Sequence, residues 1–247
     1  PVSEVAAPIR GPMYAGYAKV LHDKERLCRH VVDGLALTLM IITPLSIGIV
    51  LTAKLIEQVA LGAEWAGAAP FIQVCAFYAL FEGIGEFTHN LYVVKDRQRR
   101  FVAIMGLTTA IRVVLVVWAG LTHGVLAAAA MFAVTSFFSS AIWFGQLTVM
   151  IGLSIRRTIA AMWRIFTATA IMSAGVFYFL STWPYGETMP GRIAELIIAV
   201  ATGGALYIGP LLGLWIACGR PAGPEDHAAK AIPQLLARLG LRLPIPA

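Results

Sequence analysis

An all-α integral membrane protein with six transmembrane helices is the fold this sequence predicts, and three observations predict it. Apolar residues make up 59% of the chain, charged residues only 13%, and the mean hydropathy is +0.78, an apolar share above that of ordinary soluble domains. Six runs are long enough to cross a hydrocarbon core of roughly 30 Å, which takes about 20 apolar residues. The basic residues also separate by connection, as they do where cytoplasmic loops collect Lys and Arg.

In chain order, residues 1–33 form a charged, amphipathic segment on the cytoplasmic side, ahead of the first apolar run at 34–53. That run carries Pro44 at mid-span, which kinks a helix and frees a carbonyl; it marks either a hinge or packing geometry. The second run, 69–93, contains the polar stretch FEGIGEFTHN. Gly83 and Gly85 soften the helix there and also permit close helix approach. The third run, 101–120, follows the basic rim Lys95, Arg97, Arg99 and Arg100, which attracts anionic headgroups or simply signals topology.

The fourth run, 125–150, places Thr135, Ser136, Ser139 and Ser140 in one region, residue types that more often serve helix packing than ligands. The fifth and sixth runs, 159–181 and 193–218, flank STWPYGETMPG, which sets Trp183 and Tyr185 at the outer interface, as Trp65 is in the first outer connection. In the tail, 219–247, Ile232, Leu235, Leu236 and Leu239 recur at helical spacing among Lys230, Arg238 and Arg242. This is the pattern of a short helix on the inner leaflet, with a frayed tail as the alternative.

Arg10, Lys19, Lys24, Arg26 and Arg29, the Lys95–Arg100 rim, Arg156, Arg157, Arg164, Arg220 and the tail cations all fall on one side. Only Lys54 and Arg192 fall on the other, and Arg112 lies within a span. Both ends therefore face the cytoplasm. The net charge of +6 is a topology signal, and no nucleic-acid partner is expected. Cys28, Cys75 and Cys218 are far apart and lack metal-ligand spacing, so inert reduced thiols are expected and no metal site. The chain opens at Pro1 with no signal peptide, and the expectation is a fragment whose upstream part is missing.

The segment PIRGPMYAGYAKVLHDKERLCRH, the proline-centred run ALTLMIITPLSIGIVL and the following LIEQVALGAEWAGAAPFIQV resemble the C-terminal half of Wzx-like oligosaccharide flippases. These are polysaccharide exporters of the multidrug/oligosaccharidyl-lipid/polysaccharide exporter superfamily. The resemblance rests on Tyr17 to Leu21, on Asp23-Lys24-Glu25-Arg26-Leu27, on Pro44, and on Gly62, Trp65, Ala68 and Pro70 of the outer loop. It implies a V-shaped, two-lobe transporter in the bacterial inner membrane, with 34–150 as four spans of the C-terminal lobe, 151–218 as two additional spans, and a facing N-terminal lobe missing. The implied substrate is a polyprenyl-diphosphate-linked oligosaccharide for lipopolysaccharide O-antigen, capsule or exopolysaccharide. Membrane lipids, a polysaccharide polymerase and glycosyltransferases are the implied partners. No cofactor is implied beyond a coupling H⁺ or Na⁺.

On a helix, Tyr78, Glu82, Gly85, Glu86, His89 and Asn90 fall within about 140° of arc. Glu82 lies near mid-span, where a charge costs about 2.5 to 3.5 kcal/mol on insertion scales. Arg112, equally far from the hairpin on the next span, is its expected partner, and Thr108 the expected neighbour of Glu86. One reading makes this a self-neutralising structural network. The other makes the stripe the lining of a transport pathway, with Arg112 meeting anionic groups and Glu82 and Glu86 exchanging a coupling cation. No catalytic residues are expected: His89 near Glu86 superficially suits acid–base chemistry, yet no nucleophile, metal cluster or large outer loop accompanies it. A cation-coupled drug antiporter on the same scaffold is the closer rival, because acidic pairs suit cationic substrates. A membrane-embedded glycan-modifying enzyme is the remoter one.

Overall fold

The computed structural model describes residues 23–183 and 188–219, and the expected tail helix and Tyr185 lie outside them. Among the described residues there are six long α-helices: α1 Lys24–Ile56, α2 Ala69–Val94, α3 Gln98–His123, α4 Val125–Ile151, α5 Ile155–Thr182 and α6 Met189–Ala217. Five of these, all but α2, are long and apolar enough over their described residues to cross a membrane; in α2 the described apolar part is Ala69–Phe81. The architecture is that of an all-helical, multi-pass membrane protein.

The helix extends into the segment read as 1–33, because α1 begins at Lys24, well before the apolar run. Asp23 is extended and caps it, accepting from the Glu25 and Arg26 amides at 3.1 Å each, which satisfies two of the orphan donors of the first turn. Within the charged turn, Leu27, Val31 and Leu35 recur at i, i+4 and are almost fully buried. Hydropathy averaging sees the charges of KERLCRHVVD, whereas the helix buries only one face.

Between α1 and α2 the chain makes a π-helical turn, Glu57–Leu61, and a short 3₁₀ turn, Ala63–Trp65. A Glu57 carboxylate oxygen accepts from the Ala69 amide, so the preceding turn caps α2. Trp65 and Trp183 are both exposed, at the end of the bundle opposite the Lys95–Arg100 rim.

α1 is the central helix. It packs on α2 along one side and on α5 and α6 along another, while α2 packs in turn on α4, and α4 carries α3. Gln73 of α2 donates to the Val50 carbonyl of α1 at 3.2 Å. The apolar core gathers Leu27, Val31 and Leu35 with Leu147 and Ile151 of α4, Ile165, Ala168, Met172 and Val176 of α5, and Tyr207 and Leu211 of α6. Along α6, Glu195, Ala199, Gly203, Tyr207 and Leu211 form one buried stripe at i, i+4 spacing.

Candidate functional site: a polar groove between three helices

Four side-chain hydrogen bonds stitch α2 to α4. Ser140 Oγ donates to the Phe81 carbonyl (2.7 Å), Thr88 Oγ1 to the Trp143 carbonyl (3.3 Å), Tyr92 OH to Gln146 Oε1 (2.9 Å) and Lys95 Nζ to the Met150 carbonyl (2.6 Å). Partners differ in number by 54 to 59 throughout, so the two helices run parallel. Hydroxyl and amide groups carry such contacts between helices where water is absent.

α3 returns antiparallel but leans on α4. Gly124, with φ of 87°, is at once the C-cap of α3 and the N-cap of α4, a conformation that favours glycine. A Cβ on Gly120 would lie 3.4 Å from the Ala128 Cβ, so the two helices meet closely beside this turn. α3 has few contacts with α2. The gap left between them, floored by α4, is an open groove of about 420 Å³, within the size range of small-molecule sites.

Tyr78, Phe81 and His89 of α2 form one wall, and Phe101, Met105 and Arg112 of α3 the other. Ser136, Ser139, Ser140 and Trp143 form the floor. Rings close the end nearer the basic rim: Phe101 stands 4.8 Å from His89, 5.6 Å from Tyr92 and 4.9 Å from Trp143, centroid to centroid. Farther along, Arg112 Nη2 donates to Ser139 Oγ at 3.2 Å, and its Cζ lies 5.0 Å from the Phe132 ring centroid, within cation–π range. Arg112 Nε is buried and has no hydrogen-bond partner among the described residues. A charged donor in that state is costly.

Tyr78, His89 and Arg112, singled out in the sequence, thus converge on one groove. His89 is a wall residue, beyond the interfacial role its sequence position indicates. The expected partner of Arg112, Glu82, has its side chain outside the described residues. Here α3 rests on α4, and among the described residues the guanidinium meets Ser139 and Phe132. Glu82, Gly83, Gly85, Glu86 and Asn90 belong to α2, but their side chains lie outside the described residues. Thr108 Oγ1 donates within its own helix, to the Ile104 carbonyl at 3.0 Å.

The serines split between two roles. Ser140 bonds to the neighbouring helix as well as lining the groove, whereas Ser139 holds Arg112 there. Phe101, Phe132 and Trp143 were not anticipated, since single aromatic residues in apolar runs carry no periodic signal. Trp143 does follow Ser139 and Ser140 by one helical turn, which is the pattern that points to it. Arg164 and Glu195, read from sequence as a topology charge and not at all, are both buried, at 6% and 3% exposure.

At the basic rim, Arg97 is the N-cap of α3, and Arg99 and Arg100 are exposed in its first turn. Cations there oppose the helix dipole, so local helix stability does not explain them. Lys95 behaves differently. Burial, and then the nearby charges of Arg97 and Lys24, hold its ammonium below the usual lysine range despite the opposing influence of Cys28. With the folded-state value lowered, protonation favours the unfolded chain, and the penalty shrinks as pH rises through that value toward the ordinary 10.5. The wild type is expected to gain thermal stability relative to Lys95→Met between neutral pH and alkaline pH just below 10.5. Parallel unfolding curves for the two proteins over that window would contradict the assignment.

The fold and groove define an all-helical membrane protein with a polar, partly aromatic cleft. No protein-family model matches the chain, and no curated protein matches it.

Proposed function

We propose that this chain is the C-terminal part of a transporter that flips a lipid-diphosphate-linked oligosaccharide across the bacterial inner membrane. In this reading the six helices are six spans, α1–α4 complete one lobe, α5 and α6 are the additional pair, and a facing lobe lies on the open side of the groove. Both ends of the chain face the cytoplasm, and the Lys95–Arg100 rim meets lipid headgroup phosphates. The carrying observation is Arg112, a half-buried cation set among Ser139, Phe132 and Tyr78 in a groove large enough for a ligand. A diphosphate supplies acceptors for such a guanidinium.

Glu82 and Glu86 are the proposed coupling residues for H⁺ or Na⁺. Two carboxyl groups one helical turn apart on one helix offer oxygens to a single small cation, which suits its loading and release. Glu82→Gln and Glu86→Gln are each expected to retain expression and lose ion-gradient-driven flipping of a fluorescent lipid-diphosphate oligosaccharide in proteoliposomes. Wild-type rates from both variants would remove the coupling role. The rival drug antiporter predicts instead gradient-driven efflux of a cationic dye.

A further inference from the structure

Pro44 lies inside α1, where its ring removes the N–H that the Met40 carbonyl, four residues earlier, accepts in an unbroken helix. The gap is filled from elsewhere: Tyr207 OH, on α6, donates to the Met40 carbonyl at 2.6 Å across 167 residues of chain. Tyr207 is only 7% exposed and belongs to the same core cluster as Met172 and Val176. Gly203, one turn before it, lets α6 approach α5 closely, since a Cβ there would stand 3.2 Å from Val176 Cγ2. The tyrosine is thus held in place by packing that is independent of the bond it makes.

A second donor lies within reach of the same carbonyl. Thr43 Oγ1 is buried and without a hydrogen-bond partner among the described residues. A threonine hydroxyl in a helix reaches the carbonyl three or four residues earlier, and three residues before Thr43 is Met40. The Met40 carbonyl therefore has one donor engaged, from α6, and one idle, from its own helix.

We propose that Tyr207 is a latch on the bend of α1. Engaged, it substitutes for the amide that Pro44 lacks and pins the bend to α6. Released, the carbonyl passes to Thr43, and α1 bends independently of the α5–α6 pair. This inference does not rest on the transport reading.

The test is a double-mutant cycle on the purified chain in detergent, read by thermal unfolding. Tyr207→Phe is expected to lower the unfolding temperature by about 4 °C, and by more when Thr43→Val removes the substitute donor. In a Pro44→Ala background, where residue 44 regains its N–H, Tyr207→Phe is expected to cost almost nothing. An equal cost with and without Pro44 overturns the latch. Spin labels at His30 and Leu61, in a chain with its three native cysteines replaced, provide a measure that needs no proline variant. Tyr207→Phe is expected to broaden the distance distribution across the bend, and an unchanged distribution overturns the proposal even if the thermal cycle closes as expected.

Discussion

Arg112→Gln is expected to lower the rate of lipid-diphosphate oligosaccharide flipping by about tenfold or more, the loss that accompanies removal of a charge-assisted hydrogen bond. The variant should express and fold normally. Arg112 is half-buried on the least buried helix of the bundle, and its one described hydrogen bond is to a serine hydroxyl. Glutamine ends where the Arg112 Nε stands, so it carries no charge and gives up the reach to Ser139 and the contact with the Phe132 ring. Arg112→Lys separates charge from shape. It restores the cation without the planar fork, and an intermediate rate is expected because lysine meets a phosphate as a point charge. Flipping at the wild-type rate by Arg112→Gln, at equal protein in the membrane, would sink the proposed role of the groove. Faster efflux of a cationic dye by the same variant would favour the antiporter.

Gly203→Leu is expected to destabilise the protein by about 3 kcal/mol, the upper part of the usual overpacking range. Even the first carbon of a side chain at residue 203 would stand 3.2 Å from Val176 Cγ2 and 3.9 Å from Met172 Cγ. Both neighbours are buried in the core, so the rest of a leucine has to part α5 from α6. The neighbouring residue is the control: a Cβ at Gly204 meets nothing within 4 Å. Gly204→Ala should therefore be neutral to stabilising by up to about 1 kcal/mol through helix propensity, and Gly204→Leu should be tolerated far better than Gly203→Leu. Thermal unfolding in one detergent compares all three. Equal losses for the two leucine variants would show that the close approach of α5 and α6 is not maintained.

Much of the helix map is legible in the sequence because apolar length and turn residues are local signals. The runs at 69–93 and 125–150 become α2 and α4 within one residue, and the other ends move by a few residues, apart from the start of α1. That start was hidden because an amphipathic turn with charges on its exposed face averages to a polar window, although Leu27 and Val31 bury completely. The stripe on α2 is likewise a periodicity signal, and two of its members, Tyr78 and His89, do face one groove. Its counterpart on α4 was harder to read, since serines that bond to carbonyls of their own or a neighbouring helix look the same in sequence as serines that face a ligand.

By itself the sequence determined that the chain forms long apolar helices, where most of them begin and end, and which of their faces are polar, because these depend on residues within a few turns of one another. Which helix lies beside which was decided only by the tertiary structure. α4 packs against α2 far more extensively than α3 does, and α4 is where Arg112 finds Ser139 and Phe132. The carbonyl freed by Pro44 is predicted by local chemistry, but its donor, Tyr207, lies on α6. Such pairings come from the packing of whole helices, where small residues allow backbones to approach and hydroxyls satisfy what the approach leaves bare, and no local pattern encodes them.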